Sequence, residues 1–308
     1  MNCSVVIPVY RGEATLIPLV ERLAKVLPAI SDSYEAVLVN DGSPDNSWAV
    51  IEGLAKQYSW VRGIDLMRNY GQHNATLCGI RSARYEVIFT MDDDLQNLPE
   101  EMPKLIAKLN EGYDVVYGVA RKRQQGWFKN LVSVFLKRAI AYVMGQHTVR
   151  DIGAFKAFRA DLRKSFESFN GPDVLVDVLL SWGTNRFASV IVEESPRVVG
   201  KSNYNFMKLV KVSLLVLTSY TTLPLRLASV IGFIFTFFGF FVLMYVLTTY
   251  FSAGSIQGFP FLASIIAIFS GVQLFALGIM GEYLARLFER SSGRRTYAIG
   301  QTTFGGEK

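Results

Sequence analysis

Over the first part of the chain, short β-branched runs alternate with stretches whose apolar residues recur at helical spacing. Ser4–Pro8 (SVVIP) predicts a strand and Ala14–Leu27 a helix. Ala36–Val39 (AVLV) predicts a second strand, and the turn cluster Asp41-Gly42-Ser43-Pro44-Asp45 leads into a helix over Trp48–Tyr58. The alternation continues with strand Val61–Leu66, helix Asn74–Arg84, strand Val87–Met91, helix Pro99–Asn110 and strand Asp114–Gly118. Such alternation implies βαβ units, hence an α/β domain with a mainly parallel sheet covered by helices on both faces. Ligands of these sheets bind beyond the carboxyl ends of the strands, which directs attention to the residues after Pro8, Val39, Leu66 and Met91.

After Ala120 the pattern changes. Arg121-Lys122-Arg123-Gln124-Gln125-Gly126-Trp127 is a basic, glycine-containing loop, and Phe128–Gly145 has a long helical period. Residues 201–226 carry Lys201, Lys208, Lys211 and Arg226 and no acid, with apolar residues at spacings that suit a helix lying at a membrane surface. An ordinary amphipathic core helix is the alternative. Leu227–Phe251 and Pro260–Gly281 then contain no Asp, Glu, Lys or Arg, and each exceeds the roughly 20 apolar residues needed to cross a bilayer. The competing reading is a buried helical hairpin, but neither run has a polar stripe.

The expected organisation is therefore a catalytic-type domain over 1–200, an interfacial helix over 201–226, two spans within 227–285 and a basic tail over 286–308. Basic residues flank the spans (Arg286, Arg290, Arg294 and Arg295 on the far side), while Ser252–Gly258 between them is uncharged. The positive-inside rule then predicts a multi-pass inner-membrane protein with both termini and the N-terminal domain cytoplasmic. The opening MNCSVVIPVY has no basic leader and no long apolar region of a signal peptide, which fits that expectation. Small residues Gly271, Ala276, Gly278 and Gly281 in the second span favour close helix contact and so a homo-oligomer.

Overall composition adds less: 50% apolar residues and a net charge of +6 fit a membrane-anchored α/β protein. Cys3 and Cys78 sit in apolar stretches and read as small buried hydrophobes rather than a disulfide. The two histidines, His73 and His147, give no zinc-type spacing. No G-x-G-x-x-G follows the first strand, which argues against a dinucleotide oxidoreductase. Nucleic acid binding is not expected, since the basic loop lacks an aromatic platform.

Each strand end carries a polar group of residues. Pro8-Val9-Tyr10-Arg11-Gly12-Glu13 follows the first, Asn40-Asp41-Gly42-Ser43 the second, and Arg68-Asn69-Tyr70-Gly71-Gln72 the third. After the fourth comes Asp92-Asp93-Asp94-Leu95-Gln96. Three consecutive carboxylates at the end of an apolar strand repel one another unless a cation is present. Hard divalent ions take carboxylate oxygens, and Mg²⁺ uses one or two of them together with substrate phosphates. Asp92 and Asp94 point the same way if the chain is extended there. A solvated acidic turn is the plainer alternative on these residues alone.

Taken together, PVY-x-x-E, NDGS and DDDLQ after successive strands resemble the inverting family 2 glycosyltransferases of the GT-A fold. RNYGQ, DIGAFKAFR, PRVVGKSNYNFMKLVK and the C-terminal pair of spans resemble more narrowly the polyprenyl-phosphate glycosyltransferases. This resemblance covers essentially the whole chain. It implies a GT-A-like (Rossmann-like) catalytic domain plus a transmembrane helix pair. The implied reaction moves one sugar from a nucleotide-sugar to a polyprenyl (undecaprenyl) phosphate, with Mg²⁺ or Mn²⁺. UDP-glucose is the first expectation for the donor; GDP-mannose and UDP-aminoarabinose are the alternatives, together with a nucleotide-sugar-binding scaffold that does not turn over. A processive polysaccharide synthase would bring more spans and a Gln-x-x-Arg-Trp motif, and Gln124-Gln125-Gly126-Trp127 does not match it.

By the same resemblance, Pro8, Tyr10, Glu13 and Asp41 hold the nucleoside, Arg68 and Gln72 line that pocket, and Asp93 lies beside the nucleotide. Asp92, Asp94 and Gln96 are the implied metal ligands. Arg121 and Arg197 contact phosphates, and Asp151 matches the carboxylate usually called the catalytic base. Lys129 and Ser133 match a phosphate-binding pair at i and i+4. Where many relatives carry Ser-Lys after the glycine, this chain has Ser202-Asn203, a departure that removes the phosphate-binding lysine and leaves Lys201 as its candidate substitute. One residue more than in the shorter form of the first motif separates Tyr10 from Glu13. A phosphate monoester has a second pKa near 6 and is largely deprotonated at neutral pH, so Asp151 is expected mainly to orient acceptor or sugar, or to take a residual proton.

Overall fold

The computed structural model describes residues 1–120, 153–171, 174–195, 220–253, 258–293 and 295–305. Among these, β1 (Cys3–Val9), β2 (Tyr34–Asn40), β3 (Val61–Leu66), β4 (Val87–Thr90), β5 (Val115–Ala120), β6 (Lys156–Arg159), β7 (Phe187–Val192) and β8 (Ile299–Thr302) form one sheet. Its order is β7-β5-β6-β4-β1-β2-β3-β8. β1 pairs in parallel with β2 and β4, β2 with β3, and β5 with β7. The sheet is nevertheless mixed rather than simply parallel. β6 runs antiparallel between β4 and β5, and β8 closes the far edge antiparallel to β3. Neither was expected, because Lys156–Arg159 and Ile299–Thr302 are too short and too polar to stand out by alternation.

Connecting helices α1 (Leu16–Ile30), α2 (Ser47–Gln57), α3 (Gln72–Ser82) and α4 (Met102–Asn110) cover the sheet. β1 is buried along its whole length, as a continuous β-branched run requires when helices lie on both faces. On one face Val5, Ile7 and Val9 join a core with Leu16, Leu19, Val20, Leu23 and Leu27 of α1. On the other, α3 approaches so closely that a Cβ on Gly79 would lie 2.3 Å from Val6 Cγ1. A larger residue there would lift α3, and with it the loop that precedes it.

The chain divides into two compact units, Met1–Leu209 with Arg294–Lys308, and Val210–Gly293. The second contains the helices Leu223–Ala253 and Phe259–Ser291. Within them Leu223–Ser252 and Ile268–Glu289 are long and apolar enough to cross a membrane, and none of either apolar window is buried by protein. The second stretch begins later than the expected Pro260–Gly281. The helix has 33 residues, about 50 Å at 1.5 Å per residue, and so exceeds the roughly 30 Å hydrocarbon core. Phe233, Phe237, Phe241 and Phe275 are exposed on these helices, an apolar surface that water would disfavour. The expected tail over 286–308 needs correction: helix runs to Ser291, and Ile299–Thr302 is a strand of the first unit's sheet.

Candidate active site

Four loops converge at the carboxyl ends of β1, β2, β3 and β4. After β1, the amide of Arg11 donates to Ser43 Oγ (3.1 Å) and that of Gly12 to Ser47 Oγ (2.9 Å). Arg11 has φ +59°, a left-handed conformation that non-glycine residues adopt only where surrounding contacts hold them. A Cβ on Gly12 would lie 2.6 Å from Asp93 Oδ2 and 2.9 Å from Val9 Cγ1, so a larger residue there would displace the Asp93 carboxylate. The Glu13 carboxylate accepts from the backbone amide of Asn46 (3.2 Å) and from its Nδ2 (3.0 Å). Glu13 thus fastens this loop to the start of α2. Tyr10 is exposed, with the Arg11 guanidinium 5.5 Å from its ring centroid. Pro8 lies within β1, in register with Val39.

After β2, Asp41 is buried and accepts the amides of Tyr70 (2.7 Å) and Gly71 (2.8 Å), one on each oxygen. Burial raises its carboxyl above the ordinary range, and these two amides oppose the rise. Gly42, at φ +60°, packs directly on the next loop: a Cβ there would come within 2.5 Å of Arg68 C and Asn69 N. Asp41 and Gly42 therefore shape the loop after β3. That loop presents Arg68, whose guanidinium lies 4.7 Å from the Tyr70 ring centroid, and Gln72, whose Nε2 donates to Asp92 Oδ1 at 2.5 Å.

After β4, Asp92, Asp93 and Asp94 are half-buried. Asp93 Oδ2 accepts the Tyr10 amide (3.3 Å), and Asp94 Oδ1 accepts the amide of Gln96 (3.2 Å). Leu95, buried with φ +62°, turns the chain between them. The Asp93 carboxyl is pushed up to about 7, chiefly by burial and further by the charges of Asp92 and Asp94, against the Tyr10 amide. Among the described residues, no group of three His, Cys, Asp or Glu side chains converges as a protein-only metal cage. The oxygen donors of Asp92, Asp94 and Gln96 do suit a hard divalent ion that completes its shell with phosphate oxygens.

The structure thus brings Pro8, Tyr10, Glu13, Asp41, Arg68, Gln72, Asp92, Asp93, Asp94 and Gln96 to one end of the sheet. Arg121, Lys129, Ser133, Asp151, Arg197, Lys201 and Ser202 lie outside the described residues, as does 201–219 of the expected interfacial helix.

Residues 4–166 match Glycosyl transferase family 2. Over 96% of its length the chain is 37% identical to an undecaprenyl-phosphate 4-deoxy-4-formamido-L-arabinose transferase of Proteus mirabilis (strain HI4320), covering 92% of that protein. The chain belongs to glycosyltransferase family 2. A protein of the same description from Shewanella sediminis (strain HAW-EB3) is also 37% identical, over 96% of this chain and 91% of that one. Among solved structures, glucosyl-3-phosphoglycerate synthase from Mycobacterium tuberculosis, in complex with Mn²⁺, UDP-glucose and phosphoglyceric acid, superposes with a TM-score of 0.51. It is 19% identical and covers 70% of this chain and 77% of that one, a likeness of fold. The chain is therefore a glycosyltransferase with the GT-A-like architecture expected from its motifs.

Several further residues, given no role in the sequence motifs, hold the loops and strands near this end of the sheet. Ser43 and Ser47 hold the β1 loop, and Asn97 Oδ1 accepts the Asp92 amide at 3.4 Å. Lys156, in DIGAFKAFR, lies in register between Thr90 and Tyr117 and forms a buried ion pair with Asp177, which also accepts the Tyr117 hydroxyl (3.0 Å). A lysine set among the apolar residues Phe155, Ala157 and Phe158 is the available signal. A separate groove of about 860 Å³ opens at the amino ends of β1 and β4, lined by Arg81, Arg84, Glu86 and Arg163 among others. Two of its guanidiniums serve the fold: Arg81 donates to the carbonyls of Glu167 and Phe169, and Arg163 to those of Ile80 and Ala83.

Proposed function

We propose that this glycosyltransferase moves a 4-amino-4-deoxy-L-arabinose-type sugar, the 4-formamido form first, from its nucleotide donor to undecaprenyl phosphate, with inversion. The observation that carries this reading is the 37% identity, over nearly the whole chain, to transferases of that sugar and lipid. The relatives favour the aminoarabinose class over the UDP-glucose first expected. Pyrophosphate is the proposed occupant of the space beside Asp92 and Asp94, with Gln96 as a further ligand to Mg²⁺ or Mn²⁺. The Mn²⁺ and UDP-glucose held by the mycobacterial synthase are in keeping with this. A bound divalent ion would offset the negative charge that the departing nucleoside diphosphate acquires.

The chain's own residues have the remaining work. Gln72 holds the Asp92 carboxylate, and the Tyr10 amide holds that of Asp93, so both enter the reaction already oriented. Tyr10 and Arg68 flank the proposed nucleoside pocket, whose walls Pro8, Glu13 and Asp41 keep in place. Arg121 and Arg197 are proposed to stabilise the developing diphosphate charge, and Lys129 with Ser133, and Lys201 with Ser202, to bind phosphate. The lipid phosphate oxygen attacks the anomeric carbon as the sugar–diphosphate bond breaks, and Asp151 orients the reactants.

The two apolar helices are proposed as membrane spans. Residues before and after them belong to one folded unit, so two crossings would return the chain to the side it left, which supports a catalytic unit and tail on the same side of the membrane. The basic residues that flank the spans favour the cytoplasmic side. Holding the site at the membrane raises the effective concentration of a lipid-borne phosphate. The test is a donor panel: full-length protein with undecaprenyl phosphate and UDP-linked 4-formamido-arabinose, UDP-glucose or GDP-mannose, each with Mn²⁺ or a chelator. Glycolipid formed from the first donor and lost with chelator is expected. A glycolipid formed only from a hexose donor would overturn the sugar assignment.

A further inference from the structure

The C-terminal strand does more than close the sheet edge. β8 pairs with β3 at Ile64↔Thr302, Asp65↔Gln301 and Leu66↔Ile299, and β3 leads directly into the loop carrying Arg68 and Gln72. The Met67 amide, the last before that loop, donates to the Ala298 carbonyl at 3.0 Å. Two residues of the segment reach further. Gln301 Nε2 donates to Asp65 Oδ2 (3.3 Å), while the other oxygen of Asp65 accepts Asn40 Nδ2 at 2.7 Å. Asn40 adjoins Asp41, the acceptor of the Tyr70 and Gly71 amides. Thr303 grips Gly63 from both sides: its hydroxyl accepts the Gly63 amide (2.8 Å) and its own amide donates to the Gly63 carbonyl (3.0 Å).

Behind these contacts the segment is anchored by its aromatic residues. The Phe304 ring lies 3.8 Å from the Arg62 guanidinium carbon, and Arg62 is itself fixed by Glu35 at 2.8 Å. Tyr297 packs against Arg81 and Cys78 of α3, and burial pushes its hydroxyl up to about 12. The segment therefore touches β3 and α3, the two elements on either side of the Arg68–Gln72 loop.

We propose that the segment Tyr297–Phe304 positions the donor loop, with Gln301 and Thr303 as positioning residues that act through Asp65 and Gly63. It holds Tyr70 and Gly71 on Asp41 and so presents Gln72 to Asp92. The inference rests on reading this end of the sheet as the nucleotide site. It makes the strand after the second apolar helix part of donor binding, although none of its residues reaches the reacting groups.

The experiment uses the full-length chain in detergent, a truncation after Gly293, and the pair Thr303→Val and Thr303→Ser. Amide hydrogen exchange is followed at Met67, Tyr70 and Gly71, and affinity for uridine diphosphate with Mn²⁺ is titrated alongside. Truncation is expected to speed exchange at Tyr70 and Gly71 by about tenfold or more, with α1 and α4 unchanged. Thr303→Val is expected to weaken uridine diphosphate binding about tenfold, and Thr303→Ser to restore it. In turnover the same change should appear in donor KM, with kcat and lipid KM preserved. The proposal is overturned if Met67 loses protection while Tyr70 and Gly71 exchange at the wild-type rate. If truncation unfolds the unit, the Thr303 pair decides alone, and equal affinity of Val and Ser variants with wild type overturns it. A wild-type chain that binds no uridine diphosphate defeats the nucleotide reading instead, while the exchange rates still report whether the strand holds the loop.

Discussion

The two ends of the same sheet treat carboxylates in opposite ways. At the amino end, Glu35 is buried and accepts Ser4 Oγ (2.7 Å), the Arg84 amide (2.6 Å) and Arg62 Nη1 (2.8 Å). Its charge is matched by a guanidinium and its lone pairs by donors, the arrangement a buried ion needs. At the carboxyl end, Asp92, Asp93 and Asp94 crowd together, with Gln72 Nε2 and the amides of Tyr10 and Gln96 among their donors, and burial with mutual repulsion lifts Asp93 to about 7. The backbone differs in the same sense: Arg11 and Leu95, both at positive φ, flank the aspartates. One end is arranged for stability. The other tolerates strain and like charge, which is what the proposed cation site requires and a scaffold does not.

That contrast can be broken or sharpened by substitution. The largest expected effect is on turnover: Asp94→Asn should lower kcat/KM about a thousandfold while the melting temperature holds or rises, measured by glycolipid formation and scanning fluorimetry. Glu35→Ala should do the reverse, removing about 3–5 kcal/mol of stability by leaving Arg62 buried without its partner, as read from denaturant unfolding. If both variants lost stability alike, the division between the two ends would be wrong. Gln72→Ala should reduce kcat/KM by about 10–100-fold, because Asp92 loses the donor that orients it. Gly42→Ala should raise donor KM about tenfold by displacing Arg68 and Asn69, a strain at positive φ costing about 1–3 kcal/mol. The smallest effect belongs to Asp161→Ala on the groove rim, whose exposed pair with Lys164 should leave melting temperature and turnover unchanged.

Much of the scaffold could be read from periodicity because its strands are buried on both faces. Val61–Leu66 was legible residue for residue, and β1, β2 and β4 to within two residues at either end. β6, β7 and β8 were not, since each depends on partners distant in sequence: Lys156 becomes a strand residue only once Asp177 neutralises it, and Gln301 only once Asp65 lies opposite. The place proposed for the site follows from DDDLQ standing at a strand end. What each carboxylate does there could not be read so directly. Glu13 and Asp41 look alike as motif acids, yet their described hydrogen bonds fasten loops, to Asn46 and to Tyr70 with Gly71. Spacing along a strand conveys which residues share a face; it does not convey which backbone amides a loop will turn toward them.

The most direct test of the central claim is Mn²⁺-dependent transfer to undecaprenyl phosphate in wild type and in the Asp92→Asn, Asp94→Asn double variant, with UDP-linked 4-formamido-arabinose as donor. Glycolipid should form with wild type and Mn²⁺, disappear with chelator, and fall to background in the double variant at any metal concentration. Transfer by the double variant at the wild-type rate, or by wild type in excess chelator, would contradict the account.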